Sequence, residues 1–230
     1  MVEEAYMIVH CPYNFGDVVL GTTILHWISE PVTWHVIQRN ARLLDGQPNV
    51  TVSTAPPPKD AIGLTPWLNK DLIKRGVRYW DIPQHACFGR VLQPGRRPCL
   101  ARRPNPILPD LKLPLILVET HSSSMATGFE DIELYRLQRR FPKHEVMVAS
   151  MRVVHGLRDC GWMHPLDIID LYEKADIFIG FSAGLSCLTC ASDKPPRLRY
   201  EISVGGNVSC EAIEPRTIRV RTKEELYARL

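Results

Sequence analysis

Three loops in this sequence carry residue types that do chemistry. The first is Tyr13-Asn14-Phe15-Gly16-Asp17. It follows a short apolar run, Ala5–His10. It precedes Val18–Ile28, whose apolar residues at 20, 24, 25, 27 and 28 predict a mostly buried helix. Asp17 therefore stands at or near a helix start, and two readings are open. As a cap it satisfies orphan amides and complements the helix dipole. As a general base it takes a proton from a substrate hydroxyl. Gly16 permits a close backbone approach or a positive φ. The second loop is Ser182-Ala183-Gly184-Leu185-Ser186, between an apolar strand and a helix. Free amides at a helix start suit a diphosphate; equally, small residues simply fit such a turn. The third is Thr120-His121-Ser122-Ser123-Ser124, a hydroxyl cluster after a strand, which either holds phosphate oxygens or is a Ser-rich turn.

Other chemistries lack their residues. Cys187 and Cys190 form a Cys-x-x-Cys, but no second ligand pair completes a zinc site. The pair lies one turn into a late helix, which suits buried structural thiols rather than a redox motif. The eight histidines show no His-Glu-x-x-His or comparable pair. Walker, dinucleotide and nucleophile-elbow motifs are missing. The expectation is a protein with no metal and no cofactor.

Composition narrows the class further. Of 230 residues, 45% are hydrophobic and 23% charged, an ordinary globular balance. The longest apolar stretch, near Leu113–Val118, is far short of the ~20 residues a bilayer needs, so no membrane span is expected. The start, Met-Val-Glu-Glu-Ala-Tyr, lacks the pattern of a signal peptide. Seven irregularly spaced cysteines suit reduced thiols, and the expected location is cytoplasmic. Net charge is +3, with the excess in residues 1–110, which hold 12 Lys and Arg against 9 Asp and Glu. Much of it sits between Arg90 and Arg103. A segment of this kind is either a solvated basic loop or a phosphate-contacting one.

The elements that must position these loops alternate. Strands are expected at Ala5–His10, Thr33–Ile37, Val50–Ser53 and Arg78–Ile82, with helices at Val18–Ile28 and Pro66–Lys74. After residue 110 the alternation restarts. Strands are expected at Leu115–Glu119, Glu145–Ala149 and Asp176–Phe181. Helices are expected at Glu130–Phe141, Pro165–Lys174, Leu185–Ala191 and Lys223–Leu230. Such alternation implies an α/β protein with parallel sheets. Residues 83–114 hold seven prolines and five arginines and read as an extended linker. The expected division is residues 1–110, including the linker, and residues 111–230.

Two segments resemble a known family. Phe15-Gly-Asp-Val-Val-Leu-Gly-Thr22 is similar to the Gly-Asp-Val start of the ADP-heptose:lipopolysaccharide heptosyltransferases. Leu171–Pro195 (LYEKADIFIGFSAGLSCLTCASDKP) is similar to that family's late motif, sharing Ala175-Asp176, Gly180, Gly184-Leu185-Ser186, Leu188-Thr189, Ala191 and Pro195. The chain departs from the pattern at Ser182 and Cys187, where the family has Asp and His. It also lacks the family's phosphate-binding lysine. The resemblance implies a GT-B fold: two Rossmann-like domains with parallel sheets facing across a cleft. It implies a metal-independent transfer of sugar from a nucleotide sugar, with Asp17 as base. Ser122, Ser123, Ser182, Ala183, Gly184, Leu185, Ser186 and Cys187 would lie on the donor side. Asn14, Phe15, Gly16, Arg96, Arg97, Arg102 and Arg103 would lie on the acceptor side. The acceptor is then a glycan or, as in phage-type enzymes of the same fold, a hydroxymethylated base in DNA. The alternative is a degenerate domain that binds a nucleotide or glycan without turnover. The oligomeric state is not legible.

Overall fold

The computed structural model describes residues 7–12, 14–122, 127–149, 154–182, 184–203 and 210–230. The chain divides into two compact units, Met1–Arg102 and Arg103–Leu230. The change of unit thus falls inside the proline-rich segment, a few residues before position 110.

The first unit holds β1 (Met7–His10), α1 (Phe15–Gly21), β2 (Val32–His35), β3 (Val50–Ser53), β4 (Ile62–Gly63), α2 (Lys70–Lys74) and α3 (Ile82–Phe88). Its sheet is parallel, in the order β3-β2-β1-β4. The strand order reverses between β1 and β4, where Val9 and His10 pair with Ile62 and Gly63. Val9, Val18, Leu20, Ile24, Trp34, Leu64 and Ile82 are buried. Helix α1 lies close on the sheet at Gly21, where a β-carbon would meet the Trp34 ring at 2.8 Å. Only glycine permits that approach.

The second unit holds β5 (Leu115–Val118), a two-residue pairing of β6 (His121–Ser122) with β7 (Thr127–Gly128), α4 (Asp131–Arg140), β8 (Glu145–Val148), β9 (Arg158–Asp159), α5 (Asp167–Lys174), β10 (Ile177–Phe181), α6 (Gly184–Thr189), β11 (Leu198–Ile202), β12 (Thr217–Val220) and α7 (Lys223–Arg229). Six parallel strands run β12-β11-β10-β5-β8-β9. This is the doubly wound order, with its switch point between β5 and β10. Both faces are covered. Ile116, Val118, Val146, Ile179 and Phe181 cluster with Leu134 and Leu137 of α4 and Leu226 of α7. Leu115, Leu117, Met147 and Phe178 cluster with Leu171 and Tyr172 of α5. Burial on both faces is why the strands read as unbroken apolar runs.

Several expectations need correction. Arg78–Ile82 is not a strand: Tyr79–Asp81 forms a 3₁₀ turn leading into α3. Pro83 explains this, since it sits at the start of α3, where its missing N–H costs nothing. The long helix expected over Val18–Ile28 is α1 followed by a 3₁₀ turn at Thr22–His26. Strands β4, β9, β11 and β12 escape the sequence reading. The extended-linker reading of residues 83–114 also fails at its start, which is α3. Beyond α3 the segment is bonded along its length. Gln84 Oε1 accepts the Leu92 and Gln93 amides. Thr22 Oγ1 accepts the Cys99 amide at 3.1 Å, and Glu145 accepts the Lys112 amide at 2.8 Å.

Candidate active site

In open α/β sheets, ligands bind beyond the carboxyl ends of the strands, at the point where strand order reverses. Each unit places one buried carboxylate there.

In the first unit the carboxylate is Asp17, which is only 4% exposed. It occupies the third position of α1, and Asn14 is the N-cap. The carboxylate is held by side chains. Oδ2 accepts Trp67 Nε1–H at 2.8 Å and Asn14 Nδ2–H at 3.3 Å. Oδ1 accepts the Tyr79 hydroxyl at 3.1 Å. Trp67 follows β4, so its bond to Asp17 spans the β1/β4 switch point. Burial pushes the Asp17 carboxyl above its ordinary value, while Trp67, Tyr79 and Asn14 pull it back. Asn14 is exposed, and Phe15 and Gly16 are half-buried. Gly16 lies within α1 and is not among the positive-φ glycines, so its freedom at φ is not used. The thiol of Cys11 lies 3.4 Å from Thr65 Oγ1, and burial pushes it up to about 12.

In the second unit the carboxylate is Glu119, directly after β5. It reaches across the switch point to the end of β10 and the start of α6. Oε2 accepts the Phe181 amide at 3.0 Å and the Ser186 hydroxyl at 3.2 Å; Oε1 accepts the Leu185 amide at 3.3 Å. Burial raises the Glu119 carboxyl to about 7, against the pull of those donors, and nearby Glu201 adds to the rise. Glu201, at the same level on β11, accepts the Ser182 hydroxyl at 2.7 Å and the Cys210 amide at 3.0 Å. The loop expected to receive a diphosphate thus already holds an internal carboxyl on its Leu185 amide and Ser186 hydroxyl. Helix α6 is also only six residues long, which limits its dipole.

Other predicted residues fall as follows. Ser182, Leu185 and Ser186 come together on Glu119 and Glu201, with Gly184 opening α6 and Cys187 buried within it. Ala183 and Ser123 lie outside the described residues, and Ser122 is described only by its backbone pairing with Thr127. Cys187 and Cys190 are buried, as the structural-thiol reading expects, and all seven cysteines are free thiols. Two arginines expected on the acceptor side have partners within their own unit. Arg96 Nη2 lies 3.1 Å from His26 Nδ1, and Arg103 Nη1 donates to Asp167 Oδ2 at 2.5 Å. Arg97 is half-buried and Arg102 exposed. No group of three or more metal-ligating side chains clusters among the described residues.

Trp67, Tyr79, Glu119 and Glu201 were missed. Glu119 carried a signal, since a carboxylate closing the apolar run LILV marks a strand's carboxyl end. Trp67 and Tyr79 lie 50 and 62 positions from Asp17, and nothing local marks them as its partners.

No protein-family model matches the sequence, and no curated protein matches it. Solved structures do match in fold. A glycosyl transferase of family 9 from Veillonella parvula superposes with a TM-score of 0.62 at 10% identity, over 96% of this chain and 88% of the other. The Escherichia coli heptosyltransferase WaaC, bound to ADP-2-deoxy-2-fluoro heptose, gives 0.59 at 10% identity, over 96% and 94%. TibC, an iron-containing dodecameric glycosyltransferase of enterotoxigenic E. coli, gives 0.57 at 17% identity, over 87% of this chain. This chain spans 58% of the length of that TibC chain. The fold is therefore the GT-B-like fold of the heptosyltransferases, built here from two parallel-sheet units.

Proposed function

We propose that this chain is a glycosyltransferase that moves a sugar from a nucleotide sugar to an acceptor hydroxyl, with Asp17 as general base. The observation that carries the reading is the Asp17 carboxylate, buried at a switch point and oriented by side-chain donors, in a chain with the heptosyltransferase fold. In the step, the acceptor O–H gives its proton to Asp17. The acceptor oxygen bonds to the anomeric carbon as the bond to the diphosphate breaks, and the nucleoside diphosphate leaves. Base catalysis of this kind contributes typically 10²–10⁴-fold. The donor site is proposed at the β5/β10 switch point, among Ser182, Gly184, Leu185 and Ser186, with the reaction independent of added metal. We take the acceptor to be a saccharide hydroxyl rather than a base in DNA, because Arg103 is paired with the buried Asp167 and Arg96 donates to His26, each within its own unit. A cytoplasmic location belongs to the same proposal; among the described residues no helix is long and apolar enough to cross a membrane.

Glu119 favours a second reading. A buried carboxylate already bonded to the Leu185 amide and Ser186 hydroxyl competes with a diphosphate there. That suits a domain that binds a nucleotide or glycan without turnover. The test is nucleoside diphosphate release from a panel of nucleotide sugars, with chelator present, with and without duplex DNA carrying hydroxymethylated pyrimidines. Release that Asp17→Asn abolishes supports the transferase. Release only with the modified DNA makes DNA the acceptor. Donor binding by calorimetry without release supports the second reading.

A further inference from the structure

A carboxylate presents about four lone-pair directions, two on each oxygen. Around Asp17, Oδ2 receives two donors, Trp67 and Asn14, and Oδ1 receives one, Tyr79. Trp67 comes from the turn after β4, and Tyr79 from the 3₁₀ turn before α3. Two segments distant in sequence thus converge on one carboxylate with uncharged donors. A lysine or arginine there would form an ion pair and depress basicity. An indole N–H and a phenol O–H fix the oxygens while leaving the charge unneutralised. We propose that Trp67 and Tyr79 are positioning residues for the base: Trp67 immobilises Oδ2, Tyr79 orients Oδ1, and Oδ1 takes the acceptor's proton.

The inference rests on the glycosyl-transfer reading and adds to it the receiving atom and the two groups that aim it. Donors to the charged form lower the pKa of a carboxyl, so their loss raises it. Cys11 also interacts with Asp17, and with its thiol at about 12 it stays neutral through the working range.

The experiment uses Trp67→Phe and Tyr79→Phe in the full chain, each keeping a ring and losing one donor. Two readouts are taken: the pH profile of kcat/KM for transfer, and the ¹³C NMR titration of the Asp17 carboxyl. Each variant should raise the Asp17 pKa and the acid limb of the profile by about one to two pH units. kcat should fall at least roughly tenfold at neutral pH while donor KM holds, as expected for a misaimed base. Two variants guard against one that does not fold. An unshifted titration in folded variants overturns the proposal, even if transfer is intact. A shifted titration with no transfer in the wild type instead removes the transferase reading and leaves the positioning of Asp17 standing.

Discussion

The Ser186 hydroxyl donates to Glu119 Oε2 at 3.2 Å, joining two loops 67 positions apart across the β5/β10 switch point. This bond and the two amide bonds beside it make Glu119 the tie between β5 and α6. The tie has a pH signature. The Glu119 carboxyl rises from 4.5 to about 7 in the folded state because it is buried. A raised carboxyl favours the protonated folded form. Its contribution is therefore fully present below about pH 4.5 and is lost as the pH rises through about 7. Glu119→Gln cannot ionise and lacks this dependence. Between pH 5 and 8 the stability difference should move in favour of the variant, by up to ~1.4 kcal/mol per pH unit. Thermal unfolding of both proteins across that range is the check; parallel curves would show that Glu119 does not titrate there.

Asp17→Asn separates chemistry from capping. Asn14, not Asp17, is the N-cap of α1, and the three donors on Asp17 are side chains. The substitution should lower transfer by about 10²–10⁴-fold and leave donor affinity unchanged. A variant that keeps its turnover and loses only stability would return Asp17 to a structural role.

Much of the second unit is legible in its sequence. Leu115–Val118, Val146–Val148 and Ile177–Phe181 are buried on both faces, so each is a continuous apolar run that declares itself. Leu134 and Leu137 of α4, with Phe141 at its C-cap, carry helical spacing because they pack on the same core. Strands β11 and β12 do not read this way because Arg199, Glu201 and Arg219 interrupt them, and two of these charges are buried for reasons of tertiary contact. Asp17 is legible as a candidate, since loop and helix start are local features. Its partners are not, because sheet pairing between β1 and β4 brings Trp67 to it. The Glu119 carboxyl at α6 is likewise a tertiary fact.

Arg199 illustrates the cost of such a buried charge. It is 1% exposed, and its guanidinium donates to Tyr172 Oη, Thr189 Oγ1, Thr217 Oγ1 and the Ser186 carbonyl, at 2.6–3.0 Å. It also stacks on the Phe178 ring, 5.1 Å from its centroid. Arg199→Ala removes the donor set and leaves a cavity between β11 and α6. The expected loss is about 3–5 kcal/mol in urea unfolding. A loss below about 1 kcal/mol would mean that relief from burying the charge offsets the lost bonds.

Gly180 makes the last case, because a side chain there would crowd the Ser186 hydroxyl that bonds Glu119. A β-carbon at residue 180 would meet the Phe178 ring at 2.7 Å and press against Ser186 Oγ. Neither neighbour can give way freely. The Phe178 ring is held by Arg199 and by edge contact with Tyr172, and the Ser186 hydroxyl by Glu119. Gly180→Ala should therefore destabilise the chain by about 1–3 kcal/mol through overpacking, although alanine suits a strand better than glycine does. Ser186→Ala alone should cost about 1–3 kcal/mol by leaving Glu119 one donor short. Together they should cost less than the sum, since removing the hydroxyl opens room for the new methyl, with a coupling of at least ~0.5 kcal/mol. Urea unfolding of the four proteins in this cycle measures that coupling. Strict additivity would show that the Phe178 ring alone enforces glycine at 180, and that the Glu119–Ser186 tie forms without its help.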